Sequence, residues 1–551
     1  MTRQPGVAVA AAGGLLLALA TPPAVTAGAE FLVVPGLMLW FALATSCRRP
    51  LLHSYVLGCV HMACFSWSLH HVMVAAYVAV VVLGGLYFVL GSMLVRCMSP
   101  RWSAVAFAFA VADAFWLRAN MPEIYYPHGQ PCHCLWQWPA LLGAVTLGGE
   151  PLGNALLAGL AATLIGVVRS WRLAVPSWSV AWQAFAAACG VAITATVVGW
   201  FVHAGATPSS PTARVRIAVV EPGVHPFDPF VGLSQEDSRQ RFQALFVERL
   251  LLPTRDVLRA SPPPDVVLWP ESSVPVSVPV DEIEKGRARV SWVHDQFAAS
   301  GARLVLGANV AYGERDTPAA LMVSLPEGRV LGHQEKRCLV PGGEFLPLVG
   351  WLPASLAASV RRAFERALRT PPDCQPGTLL PPMQTTAGIL FGTLLCYDNA
   401  FPGPARDQVA AGARFLCVLS NEAWYRGGAE LTQLVAMTVC RALETNTPIV
   451  RCTTDGWSVV VGANGRLLTH LANEPAPHAA ARILQVDLEP GSGRLPPLAW
   501  LRAATGPLAA GWLFLVLAHA ACRWARLRVA RTASIAAGGT GAPGPARGSG
   551  S

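Results

Sequence analysis

Eight apolar runs constrain this chain more tightly than any other feature. They cover approximately Val7 to Ala20, Phe31 to Ser46, Ser54 to Leu69, Val72 to Val95, Ala104 to Leu117, Leu152 to Val168, Val180 to Val202 and Pro507 to Cys522. A helix needs roughly 17 to 25 largely apolar residues to cross a bilayer. The first, third and fifth runs are short or interrupted, so a count of seven or nine spans also fits. At 53% hydrophobic and 13% charged over 551 residues, the chain is too apolar for a soluble protein of its length.

Arginines set the orientation, because short cytoplasmic loops carry the excess of positive charge. Arg3 precedes the first run, Arg48 and Arg49 follow the second, Arg96 and Arg101 the fourth, and Arg169 and Arg172 the sixth, while Arg523, Arg526, Arg528 and Arg531 follow the last. Only Arg118 breaks the alternation. Both termini are expected in the cytoplasm and the polar region between the seventh and eighth runs outside it. The formal charge of +9 is then mainly a topology signal and not a nucleic-acid signal. A cleavable signal peptide is a competing reading of the first run, but the spans that follow favour a retained helix.

The expected organisation is a membrane domain of about seven helices over residues 1–210, an extracytoplasmic catalytic domain over 211–496, a last membrane helix over 503–525 and a disordered cytoplasmic tail over 526–551. Within the polar region, Arg214 to Glu221, Asp265 to Trp269, Arg303 to Asn309 and Gly388 to Cys396 read as buried strands. Leu321 to Leu325 with Val330 to Glu335, and Ser458 to Val461 with Leu467 to Leu471, read as hairpins around Pro326-Glu327-Gly328 and Ala463-Asn464-Gly465. Ser238 to Ala260 and Glu430 to Thr445 have helical spacing. This is an α/β layered domain tethered by membrane helices at both ends.

Of the 41 basic residues only two are lysines, Lys285 and Lys336. Arginine does not replace lysine where a compact ammonium must meet a developing negative charge, because the guanidinium is a wide planar fork. Lys336 follows a hairpin strand, Glu271 follows the strand ending at Trp269, and Cys396 closes the run Ile389 to Leu395. Side chains at strand ends can converge on one side of a sheet. A carboxylate, an ammonium and a thiol together make an acyl-transfer set: the base takes the thiol proton, the thiolate attacks a carbonyl, and the ammonium supports the oxyanion. Taken singly, Lys336 also reads as a solvated turn residue and Cys396 as inert packing.

These stretches resemble the nitrilase superfamily of carbon–nitrogen hydrolases and acyltransferases: Leu268-Trp269-Pro270-Glu271, the segment Glu335 to Pro347 with its Leu339-Val340-Pro341-Gly342-Gly343-Glu344 core, Cys396-Tyr397-Asp398, Ser420 to Tyr425, and Arg441 to Arg451. Within that superfamily, the flanking membrane helices resemble the apolipoprotein N-acyltransferase branch. The resemblance implies a polytopic helical membrane domain plus a nitrilase-like αββα sandwich. It implies transfer of a fatty acyl chain from a membrane phospholipid, through a thioester on Cys396, to the α-amino group of the diacylglyceryl-cysteine that begins a lipoprotein. Glu271 is the implied base and Lys336 the oxyanion donor. Glu344 is the implied supporting carboxylate, Tyr397 and Asp398 support the nucleophile, and Asn421 and Trp424 line the acyl or headgroup pocket. The implied chemistry uses side chains alone, with no metal or diffusible cofactor, and the implied location is the bacterial inner membrane with the catalytic domain on the periplasmic side.

Several positions depart from the family pattern. Gly342 stands for a phenylalanine, Asp398 for a glutamate, Glu422 for an aspartate, Glu221-Pro222-Gly223 for Gln-Gly-Asn, and Ala319-Ala320 for an Asn-Ser pair. They are read as bearing on selectivity more than on the triad. The rival activities are a membrane-anchored amidase that releases acyl groups to water, against which the number of spans argues, and a transporter or scaffold whose soluble domain only binds.

Three other features stand out. Leu356, Val360, Phe364 and Leu368 alternate with Arg361, Arg362, Arg366 and Arg369 over Pro353 to Arg369, an amphipathic pattern suited to an anionic surface beside the site or to packing on its own domain. Cys132-His133-Cys134 with His128 suggests a metal only weakly, because the two thiols are too close for an ordinary structural site; unpaired or disulfide-linked cysteines are the alternative. Asp113 is a polar group within the fifth run, suited to function or to helix packing.

Overall fold

The computed structural model describes residues 6–23, 26–172, 178–204, 214–225, 228–368, 372–472 and 480–502, with short pieces between 504 and 521. Each of the seven apolar runs ahead of the polar region forms a helix: Val7–Ala20, Val33–Ser46, Pro50–Phe65, Val74–Cys97, Ser103–Asn120, Val145–Arg172 and Trp178–Ala204. Among the described residues five helical stretches, Ala29–Ser46, Val74–Cys97, Pro100–Asn120, Val145–Trp171 and Ser179–Ala204, are long and apolar enough to cross a membrane, and Val7–Ala20 and Pro50–Phe65 are shorter apolar helices. The eighth expected span, 503–525, lies largely outside the described residues, and the expected tail, 526–551, wholly so.

Lipid supplies no hydrogen bonds, so helices in it must satisfy their own backbone and polar side chains. Trp40 is fully buried among Phe88 and Phe107 and donates its indole N–H to Ser92 Oγ at 3.0 Å. Small residues let helices approach closely. A Cβ on Gly14 would fall 2.3 Å from the Leu57 carbonyl oxygen, so only glycine permits that crossing of the first and third helices. Arg118, the exception to the charge alternation, is buried at the end of Ser103–Asn120, where its guanidinium lies 4.5 Å from the Phe115 ring centroid and bonds the His128 carbonyl. It is used in packing between the helix end and the loop that follows. The Val145–Arg172 helix starts earlier than the apolar run and bends at Gly149 (φ 66°), just before Pro151.

Among the described residues the polar region forms thirteen strands: β1 (Val215–Glu221), β2 (Val266–Leu268), β3 (Ser277–Pro279), β4 (Arg303–Tyr312), β5 (Arg315–Ser324), β6 (Val330–Glu335), β7 (Met383–Gln384), β8 (Leu390–Leu395), β9 (Phe415–Ser420), β10 (Ile449–Thr453), β11 (Val459–Val461), β12 (Leu467–His470) and β13 (Arg482–Leu488). They form two sheets, ordered β13-β1-β2-β4-β5-β6, with β3 beside β4, and β12-β11-β10-β9-β8-β7. Both expected hairpins, β5–β6 and β11–β12, are antiparallel pairs. Helix Glu430–Thr445 has the bounds its periodicity gives; Ser238 to Ala260 divides into Gln235–Phe246 and Leu252–Leu258, joined by a wider turn at Val247–Leu251.

Strand alternation assembles the layers. Ile217, Val219, Val266 and Leu268 of the first sheet share a core with Phe391, Phe415, Cys417 and Leu419 of the second. Their neighbours Ala218, Val220, Val267 and Trp269 face helices on the outer side, with Val293 and Phe297. Leu416 and Val418 of the second sheet face Val435, Val439 and Leu443, and that core runs on into the membrane helices. The result is an αββα sandwich whose second helical layer is continuous with the membrane region. Each fully buried large apolar side chain stabilises it by roughly 1.5–3 kcal/mol.

Candidate active site

The ends of β2, β6, β8 and β9 bring together Glu271, Lys336, Cys396 and Asn421. Glycine makes room for the first turn: a Cβ on Gly307 of β4 would lie 2.5 Å from Glu271 Cα. Lys336 continues the β6 ladder, donating its N–H to the Pro318 carbonyl at 2.8 Å, so its side chain leaves a fixed backbone.

Lys336 is 1% exposed and carries no solvated-turn character. Its Nζ donates to Glu271 Oε1 at 2.8 Å and to Glu344 Oε1 at 2.6 Å. The remaining carboxylate oxygens are held by backbone: Asn421 N–H reaches Glu271 Oε2 at 3.1 Å, and Val340 N–H reaches Glu344 Oε2 at 2.8 Å. Burial works against the charged ammonium, but the carboxylates of Glu271 and Glu344 more than offset it and hold its pKa above the ordinary range. Burial raises the Glu344 carboxyl, and Lys336 pulls it back.

Cys396 opens a short helical turn, Cys396–Ala400, directly after β8, with φ 44°. That left-handed conformation is costly for a residue with a Cβ and persists only where the surroundings impose it. It turns the thiol sharply off the strand. Burial, and after it the Glu271 carboxylate, push the thiol up to about 12. The resting thiol is therefore protonated, and an attacking thiolate requires a base at the moment of reaction.

Asp398 braces the site from behind. Its Oδ1 accepts from the N–H groups of Arg337 (3.0 Å) and Cys338 (2.7 Å), and its Oδ2 from that of Leu395 (3.1 Å), tying the lysine loop to the cysteine turn. Burial raises its carboxyl to about 6, against those N–H groups. The Tyr397 ring stacks on His128 and Tyr125. Trp424 is half-buried in the turn Ala423–Tyr425. Glu422 lies away from the Lys336 cluster, in a fully buried pair with Arg451. Gly342 has φ 79°, and a Cβ there would touch the Phe364 ring at 3.5 Å, so the amphipathic helix, Ala354–Leu368, packs one aromatic residue on the loop that carries Glu344. Arg361, Arg362 and Arg366 are exposed on it; Arg369 lies outside the described residues.

Sequence reasoning missed the contribution of the membrane region. Tyr125 donates its hydroxyl to the Leu339 carbonyl at 2.5 Å, and His128 Nδ1 lies 3.2 Å from Gln433 Oε1. Both come from the loop after the Ser103–Asn120 helix, so that loop forms one wall of the site. The Tyr125-Tyr126 pair in an otherwise polar loop was the available signal.

An αββα sandwich with a buried Glu–Lys–Cys cluster at its strand ends, built onto membrane helices, defines a membrane-embedded protein of nitrilase type. Residues 259–489 match the carbon-nitrogen hydrolase family, and residues 13–163 match the apolipoprotein N-acyltransferase N-terminal domain; together the matches span more than half of the chain. The chain is 26% identical over 421 residues to an apolipoprotein N-acyltransferase of Sinorhizobium medicae, covering 73% of this chain and 71% of that one. It is 25% identical over 505 residues to one of Caulobacter vibrioides, covering 84% and 86%. Among solved structures, an amidase from Nesterenkonia sp. AN1 aligns with 21% identity and a TM-score of 0.35, over 56% of this chain and 99% of that one. The chain belongs to the apolipoprotein N-acyltransferase family.

Proposed function

We propose that this protein moves a fatty acyl chain from a membrane phospholipid to the α-amino group of the N-terminal diacylglyceryl-cysteine of lipoproteins, by way of a thioester on Cys396. Glu271 takes the Cys396 proton as sulfur attacks the ester carbonyl, and Lys336 donates to the oxyanion. Collapse of the tetrahedral intermediate breaks the ester C–O bond, and Glu271 returns the proton to the departing lysophospholipid alkoxide. In the second half the lipoprotein amine attacks the thioester, its proton passes to Glu271, and the C–S bond breaks to regenerate the thiol. Glu344 keeps Lys336 aimed and charged throughout.

The observation that carries this reading is the double anchoring of one buried ammonium by Glu271 and Glu344 beside a thiol held protonated. The family supports the acyl donor and acceptor, and the membrane-derived wall of Tyr125 and His128 suits a substrate that arrives from lipid. The arginine distribution supports insertion in the bacterial inner membrane with the catalytic domain on the periplasmic side.

The test uses the full chain in mixed micelles with acyl-labelled phospholipid, followed by a diacylated lipopeptide. Label should appear on Cys396 and then move to the peptide amine. Release as free fatty acid in the presence of peptide would make the protein a hydrolase, and failure to label Cys396 would remove it from acyl transfer.

A further inference from the structure

The Cys132-His133-Cys134 motif gains partners that sequence spacing could not supply. His133, in the turn Pro131–Leu135, places Nε2 2.9 Å from Glu150 Oε1, which lies at the bend of the Val145–Arg172 helix. Cys440 comes from helix Glu430–Thr445 of the catalytic domain, and one ligating atom each from His133, Glu150 and Cys440 lies within 4.8 Å of the others. The Cys132 Sγ adjoins this group, 3.8 Å from the Glu150 carbonyl oxygen. Cys132 and Cys440 are fully buried, His133 is 1% exposed and Glu150 6%. Cys134 turns away, its Sγ 2.8 Å from the Pro131 carbonyl, which removes the objection that two adjacent thiols cannot share an ion.

We propose that Cys132, His133, Glu150 and Cys440 form a structural site for one thiophilic divalent cation of zinc type, separate from the Glu271–Lys336–Cys396 cluster, that fastens the membrane region to the catalytic domain. The geometry fits. The ligating atoms of His133, Glu150 and Cys440, no more than 4.8 Å apart, all lie within about 2.8 Å of a common point, so an inward shift of about 0.5–0.8 Å gives the 2.0–2.3 Å of zinc ligation, with Cys132 moving in from beside them as the fourth ligand. Two thiols, an imidazole and a carboxylate are the borderline-soft set that zinc takes in tetrahedral sites.

A divalent ion offsets two of the three negative charges of two thiolates and the Glu150 carboxylate, and Arg441 faces the third: its Nη2 donates to Glu150 Oε1 at 2.6 Å, while its Nε, 2.9 Å from Glu444 Oε2, shares the guanidinium with that second carboxylate. Arg441 thereby orients the ligating carboxylate, as outer partners of metal ligands do. The ion takes the place of the proton between His133 Nε2 and Glu150. His133 Nδ1 is buried without a hydrogen-bond partner among the described residues, so protein hydrogen bonds alone leave this ring incompletely satisfied.

Position gives the site a purpose. Helix Glu430–Thr445 holds Asn399, three residues beyond Cys396, through the Leu434 carbonyl (3.1 Å) and Thr438 Oγ1 (3.0 Å). An ion on Cys440 fixes this helix against the membrane region and with it the standing of the cysteine turn.

The test uses the full chain in detergent, stripped with chelator under mild reduction and titrated with Co²⁺ alone. We expect one equivalent to bind, with thiolate-to-cobalt charge-transfer absorption and tetrahedral d–d bands that Zn²⁺ bleaches. The spectrum should persist in Cys396→Ala and vanish in Cys440→Ser. Should Cys440→Ser fail to fold, peptide mapping of the unsubstituted chain decides: Zn²⁺ should slow maleimide labelling of Cys132 and Cys440 at least tenfold. Absence of the charge-transfer band, labelling unaffected by Zn²⁺, or a Cys132–Cys440 disulfide in the protein as isolated would overturn the proposal.

Discussion

Lys336→Arg keeps the charge at its position and changes only the shape of the donor. Lys336 is 1% exposed, with Nζ wedged between Glu271 Oε1 at 2.8 Å and Glu344 Oε1 at 2.6 Å. A guanidinium there can still pair with both carboxylates, so the cost to folding is that of overpacking, about 1–3 kcal/mol. The oxyanion loses its compact donor, since the planar fork is taken up by the two carboxylates; loss of one such donor costs about 2.7–4 kcal/mol, or roughly 10²–10³ in rate. Lys336→Met is the contrasting control. It leaves Glu271 and Glu344 buried without their shared cation, which costs about 3–5 kcal/mol in stability. The assay is the single-turnover rate of acyl-Cys396 formation from labelled phospholipid, followed by intact mass, with thermal unfolding measured in parallel. The arginine variant should remain folded and acylate at least about 10²-fold more slowly. If it acylates within threefold of the unsubstituted protein, the argument from donor shape is wrong and the lysine is there only for its charge.

Three further outcomes are expected. Because burial and the Glu271 carboxylate push the Cys396 thiol to about 12, its modification by iodoacetamide, mapped by peptide, should climb about tenfold per pH unit from pH 7 to 10; a plateau by pH 8 would contradict the protonated resting thiol. Glu430 is buried with neither carboxylate oxygen hydrogen-bonded among the described residues, and burial raises its pKa from 4.5 to about 8. The folded chain thus holds a proton that the unfolded chain releases, a contribution present below about pH 4.5 and lost as pH rises through about 8. Glu430→Gln should therefore raise the unfolding temperature relative to the parent more at pH 8.5 than at pH 5, and equal shifts at both would refute the buried-acid account. Reversing Arg361, Arg362 and Arg366 to glutamate should weaken turnover of phospholipid in anionic vesicles by about tenfold or more, at about 1 kcal/mol per arginine near such a surface, while turnover in neutral micelles holds; unchanged activity on the vesicles would leave helix Ala354–Leu368 as packing alone.

Much of this architecture was legible because its signals are local. A membrane helix announces itself in one stretch of sequence, since its backbone is satisfied within the segment, and each of the seven apolar runs before the polar region lies on a helix. The strands that end at Glu271 and Cys396 and the hairpin that ends at Lys336 were read from apolar runs and turn residues, and the motifs around them singled out Glu344 and Asp398. Less was visible where one layer covers another. Strand β9 lies between a shared core and the helical layer, so both its faces are apolar and no alternation marks it, while β10 beside it carries Arg451, buried against Glu422, which hides it as an apolar run.

What only the tertiary structure decided is which distant groups share a low-dielectric space. The sequence could nominate Lys336, but that its ammonium is buried between two carboxylates 65 positions back and 8 positions on depends on how β2, β6 and the Glu344 loop stack. Likewise Tyr125 reaches Leu339 across 214 positions, and Glu150 and Cys440 complete a cluster begun at Cys132 and His133. Spacing along a chain determines periodicity and therefore helices, strands and turns. Charge and thiol chemistry depend on distance and burial, and those exist only once the layers have closed.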